Sequence, residues 1–162
     1  MKRLILAVVA VALVGAAFVF EPWTGFTNKT IDEPVPTRSA PTPTSTEILP
    51  MEMARGTFVS QEHDTSGAAQ ILRLADGSLT LRLEGFETTN GPDLHVWLSD
   101  RAAGGSWFKY DEGNRIELGE LKANKGNHNY AIPADADLDD IKSVVIWCKR
   151  FRVAFGSAAL EI

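Results

Sequence analysis

From about residue 56 onward, apolar and polar residues alternate along the chain with a period of two. In the stretch LTLRLEGF, Leu79, Leu81 and Leu83 alternate with polar residues, which is the pattern of a strand with one packed face and one solvated face. Similar stretches, bounded by turns rich in glycine and asparagine, predict a series of short strands. The predicted strands cover residues 56–60, 69–74, 78–86, 93–99, 115–121, 128–132, 143–148, 151–155 and 158–162.

Residues 4–20 form an uninterrupted apolar run that follows Lys2 and Arg3. As a helix rising about 1.5 Å per residue, such a run spans roughly 25 Å and can cross a bilayer. The two cations predict that the N-terminus stays in the cytoplasm, which places everything after the run outside. Residues 1–22 are therefore predicted to be a single-pass signal anchor in the cell membrane, with an extracytoplasmic C-terminal domain. A signal peptide cleaved near Ala17 is the alternative.

Residues 23–55 are rich in proline, threonine and serine and contain few apolar side chains. A segment of this composition buries too little surface to offset the entropy of ordering, so we predict a disordered linker. At about 3.1 Å per residue in a polyproline-like conformation, it would hold the domain several tens of Å from the membrane.

These patterns predict three parts: a transmembrane helix over 1–22, a linker over 23–55, and an all-β domain over 56–162. Short strands joined by tight turns, with no convincing helical periodicity between them, are typical of an antiparallel β-sandwich or a small barrel.

The net charge of the chain excludes one class of binding partner. The net charge is -5, and most of the acidic excess falls in residues 56–162. An acidic domain without a basic stripe does not match a phosphate backbone, so no nucleic acid partner is expected. The partner expected at this point is the membrane, through residues 4–20.

Cys148 is the only cysteine in the chain, so it cannot close an internal disulfide. Three interpretations stay open: core packing, a reactive thiol, or a metal ligand. If residues 144–155 form one strand, Cys148 shares a face with Arg150 and Arg152, while Trp147 points to the opposite side. A bulge after Cys148 would move both arginines to the other face.

The first candidate site is a redox thiol at Cys148, with Trp147 packed behind it and Arg150 or Arg152 adjusting its reactivity. A guanidinium about 7 Å away along one face favours a thiolate if water is excluded. Burial acts in the opposite direction, because free cysteine is among the most frequently buried residue types.

The second candidate site lies in GPDLHVWLS, where Asp93, His95 and Trp97 are predicted to form a ligand-binding surface. A nitrogen and sulfur metal site is a weaker alternative, because no histidine or methionine closely follows the cysteine as in a blue-copper loop. No cofactor is evident from the sequence. The weaker metal site would combine Cys148, His95, His63 and His128.

Four blocks of the sequence resemble the DM-thirteen domain, a family of the electron-transfer type. They are GTFVSQEHDTSGAAQILRL, GFETTNGPDLHVWLSD, LGELKANKGNHNYAIP and SVVIWCKRFRVAFGSAAL. The blocks occur in the family's order from about Gly56 to Leu160. The resemblance implies redox chemistry through the family's cysteine, which corresponds here to Cys148. It also implies that the anchor and linker match those of bacterial membrane-anchored members.

Two functional hypotheses follow from the sequence. In the first, a membrane-anchored extracytoplasmic domain cycles Cys148 between reduced and oxidised forms and exchanges electrons with an external thiol or disulfide protein. In the second, the domain is a non-enzymatic binding or adhesion module of the cell envelope. Cys148 is then part of the core, and the surface with His95 and Trp97 meets a ligand.

Overall fold

The computed structural model describes residues 28–37 and 49–161, and over these residues the protein is a β-structure with a single short 3₁₀ helix at Lys109–Glu112. The prediction of an all-β domain is confirmed. The strands are β1 (Thr30–Asp32), β2 (Met51–Ser60), β3 (Thr65–Arg73), β4 (Leu79–Thr88), β5 (Leu94–Ser99), β6 (Arg115–Glu120), β7 (Lys125–Ala131), β8 (Ser143–Cys148) and β9 (Val153–Ala159).

The nine strands form one strongly curled sheet in the order β1-β7-β4-β3-β2-β9-β8-β5-β6. All neighbouring pairs are antiparallel except β1 and β7, which are parallel. The architecture is therefore a sandwich-like half-barrel with a mixed sheet. It differs in this respect from the purely antiparallel sheet that the sequence predicted.

The sheet curls where β2 changes partner, because its first part pairs with β3 and its last three residues, 58–60, pair with β9. Gly56 lies just before this change. A side chain at Gly56 would overlap the backbone carbonyl of Ala159, so only glycine permits the close approach of the two strands. The two halves of the sheet then face each other across one core.

The core contains inward-facing residues from both halves of the sheet. Phe58 and Phe86 meet edge to face at its centre, with ring centroids 5.2 Å apart. Other fully buried members come from β4, β5 and β8, and these include Leu81, Leu83, Val96, Leu98, Val144, Ile146 and Cys148.

One end of the sheet is closed by several chain segments that bond to one another. Lys149 N–H donates to Asp93 O at 3.0 Å, and Leu121 N–H donates to Leu94 O at 2.8 Å. Thr88 N–H donates to Asn124 O at 2.9 Å. We call this end the near rim, and it comprises residues 28–29, 61–64, 89–93, 121–124 and 149–152.

Residues 28–37 lie along the outer edge of β7, and we call them the N-terminal strap. Lys29 N–H donates to Asn124 Oδ1 at 2.7 Å, and Arg82 donates to the carbonyl oxygens of Glu33 and Pro34 at 3.1 and 3.2 Å. Lys122 Nζ donates to Glu33 Oε1 at 2.7 Å. The prediction of a disordered linker over 23–55 is therefore wrong for this part.

The predicted linker also ends earlier than expected, since β2 begins at Met51 and pairs with β3 from there. The strap is held by polar side chains and backbone pairing, which leave no hydrophobic period to detect.

Residues 144–155 do not form a single strand. β8 ends at Cys148, the chain turns through residues 149–152, and β9 returns beside it from Val153. Arg152 closes this turn with a φ of 56°, a left-handed conformation that a side chain makes unfavourable. Phe151 consequently lies on the surface with 62% exposure, rather than in the core.

Within residues 28–37 and 49–161, no helix is both long enough and apolar enough to cross a bilayer. The predicted anchor over 1–22 lies outside the residues that the structure describes.

The attachment of the strap depends on Gly126, where φ is +108° and an added methyl group would overlap the carbonyl oxygen of Ile31. We expect Gly126→Ala to displace β1 and to lower the free energy of unfolding by about 2–4 kcal/mol, because strap hydrogen bonds are lost as well as backbone freedom. Chemical denaturation measures the loss, and amide hydrogen exchange of residues 29–33 locates it.

Gly119→Ala is the matched control, because Gly119 has a similar φ of +120° and open space around it. We expect it to cost only about 1 kcal/mol and to leave amide protection in the strap unchanged. Equal losses in the two variants, with the strap still protected, would show that the strap does not depend on this close approach.

Candidate functional site

Cys148 is the last residue of β8 and points into the core. It lies opposite Leu94 of β5 and Val153 of β9. Its exposure is 0%, and it belongs to the main hydrophobic cluster. Among the described residues, no hydrogen bond reaches its sulfur. The environment is hydrocarbon, which matches the core-packing interpretation of the cysteine.

Trp147 points to the opposite face of the sheet, as the alternation of residues predicted. It stacks on Trp97 with ring centroids 4.9 Å apart and an interplanar angle of 25°. Tyr110, Val145 and Ala154 complete this cluster, which we call the outer cluster. Since Trp147 and Cys148 lie on opposite faces of β8, they are separated by the sheet itself.

The segment 100–114 covers the outer cluster. Tyr110 donates its hydroxyl proton to Ser157 Oγ at 2.9 Å, and Gly104 N–H donates to the same oxygen at 2.9 Å. Ala154 N–H donates to Trp107 O at 2.9 Å. Burial raises the pKa of Tyr110, so the phenol keeps its proton at neutral pH.

The predicted binding surface of Asp93, His95 and Trp97 is only partly exposed. His95 Nε2 donates to Asp93 Oδ1 at 2.8 Å, and the imidazole is almost buried. Trp97 is covered on its open side by Arg115, whose guanidinium carbon lies 4.4 Å from the ring centroid. The three residues are brought together, but Trp97 offers little free surface to a ligand.

Arg150 and Arg152 do not share a face with Cys148, because the chain turns after Cys148. Both are exposed, and Arg152 forms an ion pair with Asp111. Lys149 Nζ lies 2.7 Å from Glu117 Oε2. The cations therefore lie at the surface of the near rim, and the expectation that a guanidinium shares the face of the thiol is wrong.

The three histidines lie in three different parts of the domain. His95 lies on the outer face of β5, since it pairs with Trp147. His63 packs against Phe155 at the near rim, with ring centroids 3.9 Å apart and the rings tilted by 54°. His128 lies in the core beside Phe86. In residues 28–37 and 49–161, no group of three or more His, Cys, Asp or Glu side chains is placed to hold a metal ion.

A cleft of about 420 Å³ opens on the near rim beside the buried thiol. Leu94 lines this cleft and also lies opposite Cys148 in the register of β5 and β8. Its walls come from residues 90–94 and 120–124 and from Lys29 of the strap. Leu94 therefore belongs both to the wall of the cleft and to the surroundings of Cys148.

The sequence did not predict the contribution of Tyr110, Ser157 or the strap to these surroundings. Tyr110 lies in the short 3₁₀ helix, in a segment whose sequence has no hydrophobic period, so no pattern marked it as buried. Ser157 follows a glycine in a strand, where a small polar residue is ordinary on a solvated face. Its burial depends on the cover formed by segment 100–114.

His128 gives the fold a pH dependence. Burial lowers the pKa of His128, and the positive charges of Lys122 and Lys29 lower it further. The Lys125 carbonyl, which accepts a hydrogen bond from Nε2 at 3.0 Å, and the negative charge of Glu33 act in the opposite direction but do not outweigh burial. The unfolded chain therefore binds a proton more readily than the folded one as the pH falls below about 6.5. The stabilisation is present above that pH and is lost below it.

We expect the free energy of unfolding to fall between about pH 7.5 and pH 5, and His128→Gln to make this slope flatter, because glutamine does not titrate. Urea denaturation across this range measures the slope. Leu83→Ala, opposite His128 in β4, is the control that lowers stability but keeps the titration. An unchanged slope in His128→Gln would assign the pH dependence to other groups.

Comparison with known proteins adds one finding. The family described as Electron transfer DM13 matches residues 57–160, which is roughly two thirds of the chain. No curated protein and no solved structure matches it. The matched range includes every strand from β3 to β9, the whole outer cluster, and the main hydrophobic cluster with Cys148 except for Ala54. The chain therefore belongs to the Electron transfer DM13 family.

Proposed function

We propose that this protein is a membrane-anchored, extracytoplasmic redox domain in which Cys148 is the reacting group. Family membership over residues 57–160 carries the redox role. The apolar run 4–20 after two cations supports the anchor and its orientation. Cys148 is proposed as the reacting group because it is the only thiol in the chain.

The burial of Cys148 sets a condition on this function. A disulfide exchange requires the attacking sulfur to reach the partner's sulfur directly. With an exposure of 0%, the thiol cannot do so in the folded conformation. The reaction therefore requires local opening of the structure around Cys148.

The turn 149–152 is the segment whose opening reaches Cys148 most directly. It follows the cysteine immediately, and Arg152 N–H donates to Cys148 O at 2.8 Å. The unfavourable φ of Arg152 and the exposure of Phe151 weaken the folded turn. On the surface it is held by the pairs Lys149–Glu117 and Arg152–Asp111, which contribute little in water. Fraying of the Cys148–Val153 pair would then expose the thiol.

In the open form, the chemistry is thiol–disulfide exchange with a partner protein. Cys148 loses its proton to water, and the thiolate attacks one sulfur of the partner's disulfide. A mixed disulfide forms and the partner's other sulfur leaves as a thiolate. A second external thiol, as its thiolate, then attacks the partner's sulfur in the mixed disulfide, which forms a disulfide between that thiol and the partner and releases Cys148 as a thiolate. The partner supplies the oxidising equivalent in the first step.

The hydrocarbon surroundings of Cys148 favour a second candidate function, a non-enzymatic binding or adhesion module. In that case the cysteine only fills the core, beside Leu94 and Val153. The partly exposed carboxylate of Asp93, held by His95, would then contribute to a ligand surface on the near rim.

Labelling of Cys148 in the full-length chain separates the two functions. We expect a small aromatic disulfide to react with the native protein slowly, at a rate that changes little with low urea concentrations, because local opening exposes little surface. Asp111→Ala should increase this rate about two- to five-fold, since it removes an exposed ion pair that holds the turn. Absorbance of the released aromatic thiol measures the rate.

Glu87→Gln is the matched control, because it removes a surface ion pair with Lys125 away from the turn. It should leave the labelling rate unchanged. If labelling proceeds only at the rate of global unfolding, with a steep urea dependence and no response to Asp111→Ala, the redox proposal fails and the binding module remains.

A further inference from the structure

The position of the N-terminal strap fixes where the upstream chain leaves the domain. Asn28 Oδ1 accepts a hydrogen bond from Asn124 Nδ2 at 2.9 Å, and Lys125 N–H donates to Lys29 O at 3.2 Å. From there β1 runs away from the near rim, parallel to β7. The chain that precedes Asn28 therefore enters the domain at the near rim, beside residues 121–124.

Seven residues, 21–27, separate the end of the apolar run from Asn28. Even when fully extended at about 3.5 Å per residue, seven residues span only about 25 Å. The strap therefore removes most of the spacer that the sequence predicted. If the apolar run is the anchor, this connection keeps the start of the strap at the near rim within about 25 Å of the bilayer, and the opposite end of the sheet points away from it.

The same end of the molecule carries exposed aromatic side chains. Phe151, at the tip of turn 149–152, is 62% exposed, Phe108 is 56% exposed and Trp107 is 39% exposed. The Trp107 and Phe108 rings are in contact, with centroids 6.0 Å apart. The other large exposed hydrophobic residues of the described chain are the aliphatic Val35, Leu49, Met51 and Val59.

Two contacts join these aromatic residues into one surface. Trp107 O accepts from Ala154 N–H, one residue after the start of β9, and Asp111 pairs with Arg152 of the turn. We call residues 107–108 and 149–152 the aromatic surface. It is flanked by cations, since Phe151 lies between Arg150 and Arg152 in the sequence.

We propose that the aromatic surface on the near rim rests on the bilayer and inserts Phe151, Phe108 and Trp107 at the headgroup level. Aromatic rings flanked by arginine or lysine suit this interface, because the rings enter the apolar boundary while the cations remain with the headgroups. The bilayer is favoured over a protein partner because the short connection at Asn28 brings this end of the domain to the membrane. The inference rests on the membrane anchoring in the proposed function.

The aromatic surface includes the turn that covers Cys148, so membrane contact also affects the thiol. Insertion of Phe151 into the headgroup region holds the turn from outside. Opening toward Cys148 is then coupled to release of the turn from the bilayer.

Hydrogen exchange of the full-length chain in lipid nanodiscs tests the inference. The discs contain a zwitterionic lipid with a minor fraction of anionic lipid. We expect amides of residues 107–108 and 149–152 to exchange at least about five-fold more slowly in the wild type than in Phe151→Asp. Phe151 is exposed, so this change should leave the fold intact, and near-ultraviolet circular dichroism checks that it does. Met51→Asp, at the exposed start of β2, is the control that should leave exchange in the aromatic surface unchanged.

Alkaline carbonate extraction of membranes that contain the same chain separates the possible failures. If the protein stays in the membrane but Phe151→Asp and the wild type exchange alike at 149–152, the docking inference is wrong and the anchoring stands. If carbonate releases the protein, the anchoring fails and the docking inference fails with it.

Discussion

The structure depends on β8, a strand that is buried on both faces. All six of its residues are buried, so the strand needs a cover on each side. On the inner side, Val144, Ile146 and Cys148 pack against the opposite half of the curled sheet. On the outer side, Val145 and Trp147 are covered by segment 100–114 through Tyr110. Burial of this many apolar side chains supplies the main driving force for both arrangements.

The double burial also explains the state of the cysteine. In a sheet with one wet face, every second residue of a strand points to solvent. Here both faces of β8 are dry, so neither face offers solvent access to Cys148. The thiol is protected by the same packing that holds the fold together, and exposure of the thiol must disturb that packing locally. The proposed redox role of Cys148 therefore depends on how readily the end of the β8–β9 hairpin opens.

Much of the fold could be predicted from the sequence, because period-two alternation directly reports a strand with distinct faces. The pattern located β4 and β5 well and placed Trp147 and Cys148 on opposite faces. It did not find the hairpin at 149–152, since Arg150, Phe151 and Arg152 continue the alternation through a turn that contains no glycine. The electrostatic argument for the thiol failed at the same point, because it required the arginines to continue along the strand.

The strap was missed for a different reason, and it changes how the domain responds to force. It is held by backbone pairing with β7 and by side chains such as Arg82 and Asn124, none of which leaves a hydrophobic signal. Because β1 is parallel to β7 and its first residue is at the near rim, tension from the upstream chain pulls along the strand axis. The hydrogen bonds of the strap then bear the load together, in shear, instead of breaking one after another. A domain joined to its surroundings in this way resists being peeled open at the point where it is tethered.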